Sequence, residues 1–187
     1  FSLSVDNDTI LANAGGNDTI TATNLTYATD DLIVDTSLTD NDTLTLSTAN
    51  DISAVPVVVG IENFNVNVTS SFAGDTLPSS LAFNADNLRN SKLNFDVTNG
   101  SSNVTELVVT NLPIAVPVTS SSKFTKVAVS ADTKAAVTYT GFATNLTLDS
   151  AGTLADVTAT VTATTIGTIS TDSDTTVTVT TTADTTI

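Results

Sequence analysis

The sequence predicts an all-β chain built from short strands. Threonine and valine are abundant, and these β-branched residues have restricted χ1 angles that suit a pleated surface. Residues that favour helices are scarce, because glutamate occurs only at Glu62 and Glu106 and glutamine is absent. Apolar and polar residues alternate in many short runs, which is the pattern of strands with one buried face. Because 40% of the residues are apolar, we also expect a packed core.

A short motif occurs three times in the first part of the chain, as Asp6–Ile10, Gly16–Ile20 and Asp40–Leu44. Each copy places polar residues before a threonine and an apolar residue, which predicts a turn that leads into a short strand. The third copy continues through Thr43–Ser47 in strict alternation, so we expect one face of that strand to be buried.

A second strand block follows at residues 57–68. Its second half alternates Phe64, Val66 and Val68 with asparagines, so the apolar side chains are expected to point inward and the asparagines outward.

The chain divides into three segments. Residues 1–69 form a β segment with the short motifs, residues 70–92 an irregular loop or short helical excursion, and residues 93–187 a repetitive ladder rich in Thr and Val. The chain starts at Phe1 without an initiator methionine and ends within the alternating pattern, so we expect all three segments to belong to a longer polypeptide.

The strand spacing in the last segment is compatible with two architectures. From Val127 onward, apolar runs start roughly every 9–11 residues, which suits either a β-sandwich or a solenoid in which two or three strands complete one coil. The repetitive small-residue composition favours a β-solenoid, a β-helix-like stack of short strands, because parallel coils place like residues on like. Separate β-sandwich domains are the alternative.

The charge balance excludes several partners. The chain carries 20 acidic and 5 basic side chains, a formal net charge of −15. Binding to nucleic acid or to an anionic membrane surface needs a basic face, and five Lys and Arg residues are too few to build one. We therefore expect no nucleic-acid partner and no membrane insertion, and divalent cations are the natural counter-ions.

The residue inventory also argues against catalysis. Histidine and cysteine are absent, which excludes disulfides, thiolate metal sites and the nucleophilic chemistry that depends on either residue. A carboxylate pair of the glycosidase type is still available, but such a site also needs residues that hold a sugar, and the chain has five basic residues and two tyrosines. We expect no enzymatic activity.

Residues Asn13–Thr21 resemble the glycine-rich nonapeptide repeat of secreted calcium-binding bacterial proteins of the RTX type. They match the pattern G-G-x-G-x-D-x-U-x at its fourth, sixth and eighth positions, and Asn13 and Ala14 replace the first two glycines. Further along, Asp42–Leu46 and Gly60–Val66 occur in the order found in large bacterial surface-layer (S-layer) proteins exported by type I secretion. The resemblance covers the first 70 residues by motif and the rest by composition.

This resemblance implies a secreted, extracellular structural protein that assembles into a lattice on the cell surface, with calcium supporting the fold. Calcium takes about six to eight oxygen ligands, which carboxylates in turns can supply. The candidate metal ligands are therefore the aspartates of the three motifs, namely Asp6, Asp8, Asp18, Asp40 and Asp42. The alternative interpretation is that these aspartates cap turns through their own backbone.

The function predicted from the sequence is that of a cell-surface structural component. Its partners would be further copies of the same protein and, secondarily, a cell-surface polysaccharide. The alternative is the stalk of a large secreted adhesin. Glu62 could be a ligand-binding residue, but a turn glycine at Gly60 followed by a strand with a capped entry explains it equally well.

Overall fold

The computed structural model describes residues 1–13, 15–37, 39–69, 80–98, 104–113, 116–121, 123–131, 137–141, 145–150, 157–161, 169–170 and 177–181. Within these ranges the chain forms strands and turns and no helix. The strands, β1 to β17 in chain order, are Thr9–Leu11, Thr19–Thr23, Leu32–Val34, Thr43–Thr48, Val57–Val59, Asn63–Thr69, Ser80–Asn84, Leu88–Arg89, Lys92–Thr98, Glu106–Leu112, Val118–Ser120, Lys126–Ala131, Val137–Gly141, Asn145–Ser150, Val157–Val161, Ile169–Ser170 and Val177–Thr181.

The strands pair in parallel and form a β-solenoid. One sheet has eight strands in the order β17-β15-β13-β11-β9-β6-β4-β2, a second has five in the order β16-β14-β12-β10-β7, and a third has four in the order β1-β3-β5-β8. Each strand lies beside the equivalent strand of the next coil, as Thr43 does beside Thr19 and Asn63 beside Thr43. Parallel pairing of this kind requires a crossover between partners, so it confirms the solenoid and excludes the sandwich for the described strands.

The path of one coil changes along the solenoid. From β6 to β9 the chain passes through the five-stranded sheet at β7 and the four-stranded sheet at β8 before it returns to the eight-stranded sheet. After β9 it alternates only between the five-stranded and eight-stranded sheets. The coil from β4 to β6 also reaches the third side, because Ile52 forms a parallel bridge with Phe83 of β7. We call the described residues of 43–98 the three-sided coils and those of 104–181 the two-sided coils.

The predicted inward faces are confirmed. Leu44 and Leu46 of β4 and Phe64, Val66 and Val68 of β6 are buried, while their neighbours on each strand are partly exposed. The burial follows from the period of two in a strand, which places alternate side chains on opposite faces of the sheet.

Part of the segment predicted to be irregular is regular. Residues 70–79 lie outside the described residues, but Ser80–Asn84 and Leu88–Arg89 are strands rather than a loop or a short helix. The sequence Ser-Leu-Ala-Phe-Asn alternates, and Leu81 and Phe83 fill the core between coils. The prediction was wrong at these residues because a five-residue alternation was outweighed by the turn-forming residues around it.

Candidate metal centre

Acidic side chains form hydrogen bonds from coil to coil at the residues that precede the strands. The backbone N–H of Asp18 donates to Asp42 Oδ1 at 2.7 Å, and the N–H of Asp42 donates to Glu62 Oε2 at 2.8 Å. In the four-stranded sheet, the N–H of Asp8 donates to Asp31 Oδ1 at 2.9 Å. A carboxylate at this position therefore extends the ladder by one bond and satisfies a backbone donor.

The remaining sequence-predicted ligands are engaged locally. Asp8 Oδ2 accepts the N–H of Ser4 at 2.6 Å and also the Ser4 hydroxyl, and Asp18 Oδ2 accepts the N–H of Asn13 at 2.6 Å. Asp6 is exposed and contacts Ser4 through its backbone. The structure does not bring Asp6, Asp8 and Asp18 together, and their contacts match the alternative interpretation in which aspartates stabilise turns.

Three other carboxylates do converge. Asp35, Asp40 and Asp42 lie in the connection between β3 and β4, and each offers an oxygen within 4.8 Å of the other two. Asp35 is 2% exposed, Asp42 is fully buried and Asp40 is partly buried. This cluster, which we call the aspartate triad, could hold a metal ion.

The triad contains carboxylate oxygens without any hydrogen-bond donor. Asp35 Oδ1 accepts the N–H of Ser37 at 2.8 Å, but Asp35 Oδ2, both oxygens of Asp40 and Asp42 Oδ2 are buried and have no partner. Buried polar atoms are almost always paired, and a buried anion without a partner is costly. These four oxygens are therefore the strongest indication of a bound cation in the described part of the chain.

The electrostatics of the triad are those of crowded anions. Burial raises the pKa of Asp42 to about 6, and the negative charges of Asp35 and Asp40 act in the same direction. The backbone N–H of Ser37 lowers the pKa of Asp35 from its ordinary value. The Asp35 carboxylate therefore stays charged.

Gly60 of the next coil positions the triad. Its φ is +73°, and a Cβ there would overlap the carbonyl oxygen of Asp35. The N–H of Asp35 donates to the carbonyl of Val59 at 2.9 Å, so the backbone of Asp35 lies directly against this turn. Only glycine combines the left-handed conformation with this close approach. Together with the contact of Glu62 to Asp42, this gives the Gly-Ile-Glu-Asn segment a structural role.

Asp35 was missed by the sequence analysis, whereas Asp40 and Asp42 were among its candidates. Asp35 lies outside the Asn-Asp-Thr motif that identifies Asp40 and Asp42, directly after a strand. The available signal was the spacing of three aspartates, Asp-x4-Asp-x-Asp, within one strand connection. Such spacing becomes informative only when the connection is known to fold back on itself.

Charge is distributed unevenly along the solenoid. Residues 1–88 contain 12 acidic and no basic residues, whereas residues 89–187 contain 8 acidic and 5 basic residues. The triad therefore lies in the half of the chain that carries no Lys or Arg.

The glycines of the RTX-like segment show no special conformation. Neither Gly15 nor Gly16 has a positive φ, and Gly60 is the described glycine that does.

No family model, curated protein or solved structure matches the chain. The described residues contain no helix with the length and apolar character needed to cross a membrane.

Proposed function

We propose that this chain is a non-enzymatic structural segment of a secreted S-layer protein, which assembles with copies of itself into an extracellular lattice and binds calcium. The proposal starts from the S-layer resemblance of the first 70 residues and from the absence of histidine and cysteine. A β-solenoid supports it, because stacked coils form an elongated, regular body that suits a scaffold.

The uneven distribution of charge along the solenoid supports the proposed self-association. Coils stack in chain order, so the 11 acidic residues that the structure describes within positions 1–88 lie towards one end. Arg89, Lys92, Lys123 and Lys126 are exposed in the coils that follow. The exposed Lys and Arg side chains of one copy can therefore pair with the acidic end of another, and such a head-to-tail contact uses different surfaces on each copy. Contacts of this type continue into filaments or sheets unless they close into a ring.

The acidic half of the chain, residues 1–88, offers the type of ligand that calcium prefers. It is a hard cation that binds carboxylate and carbonyl oxygens in loops, and these are the groups that the aspartate triad offers. Bound or condensed calcium would also reduce repulsion between the acidic ends of neighbouring copies.

Electron microscopy of the purified protein with calcium and with a chelator tests the assembly. We expect ordered sheets or filaments with calcium and dispersed particles without it. The double variant Lys123→Glu/Lys126→Glu reverses two of these positive charges and should abolish assembly, whereas Lys123→Arg/Lys126→Arg keeps both charges and should assemble normally. A protein that stays monomeric under all conditions would contradict the proposal, and binding of a glycan or a host receptor by that monomer would favour the adhesin stalk.

A further inference from the structure

We propose that the aspartate triad binds one calcium ion, and that this ion clamps the β3–β4 connection onto the next coil of the solenoid. The inference rests on the calcium part of the proposed function and is independent of lattice assembly. It places the ion within one strand connection, whereas the RTX-type repeat builds each site from stacked glycine-aspartate turns.

The spacing of the three carboxylates suits a single ion. Two ligands on opposite sides of calcium are about 4.6–5.2 Å apart, since each calcium–oxygen distance is about 2.3–2.6 Å. The oxygens of Asp35, Asp40 and Asp42 all lie within 4.8 Å of one another. One ion at their centre can therefore contact all three side chains.

The free oxygens provide the second, independent argument. Asp35 Oδ2 and Asp42 Oδ2 belong to side chains that are at least 98% buried, and neither accepts a hydrogen bond. Both Asp40 oxygens are also buried and free. Asp35 and Asp42 each direct one oxygen to a backbone N–H and leave the other unused. A turn-capping role explains the bonded oxygens but not the four free ones.

The backbone of this connection is tied to the next coil at both ends. The Asp35 N–H donates to the Val59 carbonyl, and the Asp42 carbonyl accepts the Asn63 N–H at 3.0 Å. Glu62 Oε2 accepts a hydrogen bond from the backbone N–H of Asp42, so Glu62 acts as a positioning residue. An ion that joins Asp35 to Asp42 would close the connection between these two anchor points, and it would stabilise the stacking of β3 on β5 and of β4 on β6.

The burial of the ligand atoms predicts selectivity. Magnesium has a strong preference for octahedral geometry and usually keeps several of its waters, whereas calcium accepts irregular sets of carboxylate and carbonyl oxygens. The free oxygens of the triad have almost no solvent-accessible surface, so waters carried by magnesium would have little room. We therefore expect at least tenfold weaker binding of magnesium.

Isothermal titration calorimetry and thermal unfolding of the chelator-treated chain test the site. We expect one calcium site and a rise in melting temperature, because an ion that binds only the folded state stabilises it. Asp40→Asn and Asp35→Asn should each weaken calcium binding at least tenfold. Asp8→Asn is the matched control, since it removes a charge from a carboxylate that already accepts hydrogen bonds from Ser4, and it should bind like the unaltered chain.

The sign of the stability change separates a cation site from a structural aspartate. Without calcium, Asp40→Asn removes repulsion among buried anions and should raise the melting temperature. With calcium, the same variant should melt below the unaltered chain. Destabilisation under both conditions would overturn the site, as would unchanged calcium affinity in both triad variants. Circular dichroism checks that each variant folds, and the calcium-against-magnesium comparison on the unaltered chain needs no variant.

The outcomes also distinguish the two proposals. If calcium binds but Asp8→Asn abolishes binding while Asp40→Asn does not, the ion does not bind at the triad. Calcium binding then remains part of the proposed function, and the proposed location fails. If the triad binds calcium and no lattice forms, the site stands and the assembly proposal fails. If the unaltered chain binds no calcium, the clamp fails and so does the calcium part of the function.

Discussion

The three-sided and two-sided coils fill their cores with different sets of side chains. The length of chain in one coil differs between the two regions. The coil from β6 to β9 extends from Phe64 to its partner Leu93, whereas the shorter coil from β13 to β15 extends from Val137 to its partner Val157. The longer coil adds a strand in a third sheet. The shorter coil places two sheets face to face, and valine and leucine span such a gap, which is about 10 Å between backbones.

The cores reflect this difference. A stack of aromatic rings starts at Tyr27, before β4, and continues through the three-sided coils, with edge-to-face contacts between Tyr27 and Phe64 (5.6 Å between centroids), Phe64 and Phe83 (5.7 Å), and Phe83 and Phe95 (5.4 Å). The five-stranded sheet of the two-sided coils contributes alternating Leu and Val, namely Leu107, Val109, Val127, Val129, Leu146 and Leu148. The two-sided coils also bury Phe124 and Tyr139, so the two regions differ in the stack of rings rather than in the size of their largest inward side chains.

Removal of the central ring should have the largest effect. Phe64 is fully buried and contacts two other rings, so Phe64→Ala should lower the free energy of unfolding by about 3–5 kcal/mol. Urea unfolding followed by circular dichroism measures the change.

Phe124→Ala is the matched variant in the two-sided coils. Phe124 is also fully buried but has no ring contact among the described residues. Each aromatic pair adds about 0.5–1.5 kcal/mol beyond burial, so Phe124→Ala should cost about 1–3 kcal/mol less than Phe64→Ala. Equal losses would show that the ring stack does not set the three-sided coils apart.

A substitution at Gly60 should have the next largest effect. Gly60→Ala introduces a Cβ at a positive φ and against the Asp35 carbonyl, and the backbone strain alone costs about 1–3 kcal/mol. Thermal unfolding measures the loss. Gly15→Ala is the control, because that glycine has no positive φ and no atom within 4 Å of the added Cβ. It should be neutral or stabilise the chain by up to about 1 kcal/mol. A similar loss in both variants would contradict the special role of Gly60.

The smallest expected effect concerns the tyrosine of the two-sided coils. The hydroxyl of Tyr139 lies 2.6 Å from Ser120 Oγ, so Tyr139→Phe should cost about 0.5–1.5 kcal/mol near neutral pH. Burial raises the pKa of Tyr139 to about 12, while the unfolded chain ionises near about 10. Between these values the unfolded state has lost a proton that the folded state keeps, so stability falls as the pH rises.

Unfolding at pH 9 and pH 11 tests this linkage. Tyr139 should account for about 1.4 kcal/mol of the stability lost between the two, and Tyr139→Phe should remove that share. Burial, with a further contribution from the charge of Asp31, also raises the pKa of Tyr27, so the variant should keep part of the alkaline loss. If the pH dependence of stability is the same in the unaltered chain and in Tyr139→Phe, burial does not raise the pKa of Tyr139 in the folded state.

The local sequence determined which side chains face inward. Leu44, Leu46, Phe64 and Val66 were assigned from alternation alone, because the period of two is a property of the extended backbone and needs no partner strand. The same reasoning failed at Ser80–Asn84, where the alternation is short, and it missed β11, where a short strand follows two prolines.

The tertiary structure alone decided how the strands pair and which carboxylates meet. Parallel pairing depends on how each connection returns the chain to the same sheet, and short alternating runs are compatible with either strand direction. Asp40 and Asp42 are recognisable from their motif, but Asp35 joins them only because the connection after β3 folds back against Gly60 of the next coil. Local composition sets the face of a residue, whereas a cation site depends on the convergence of residues that the solenoid brings together.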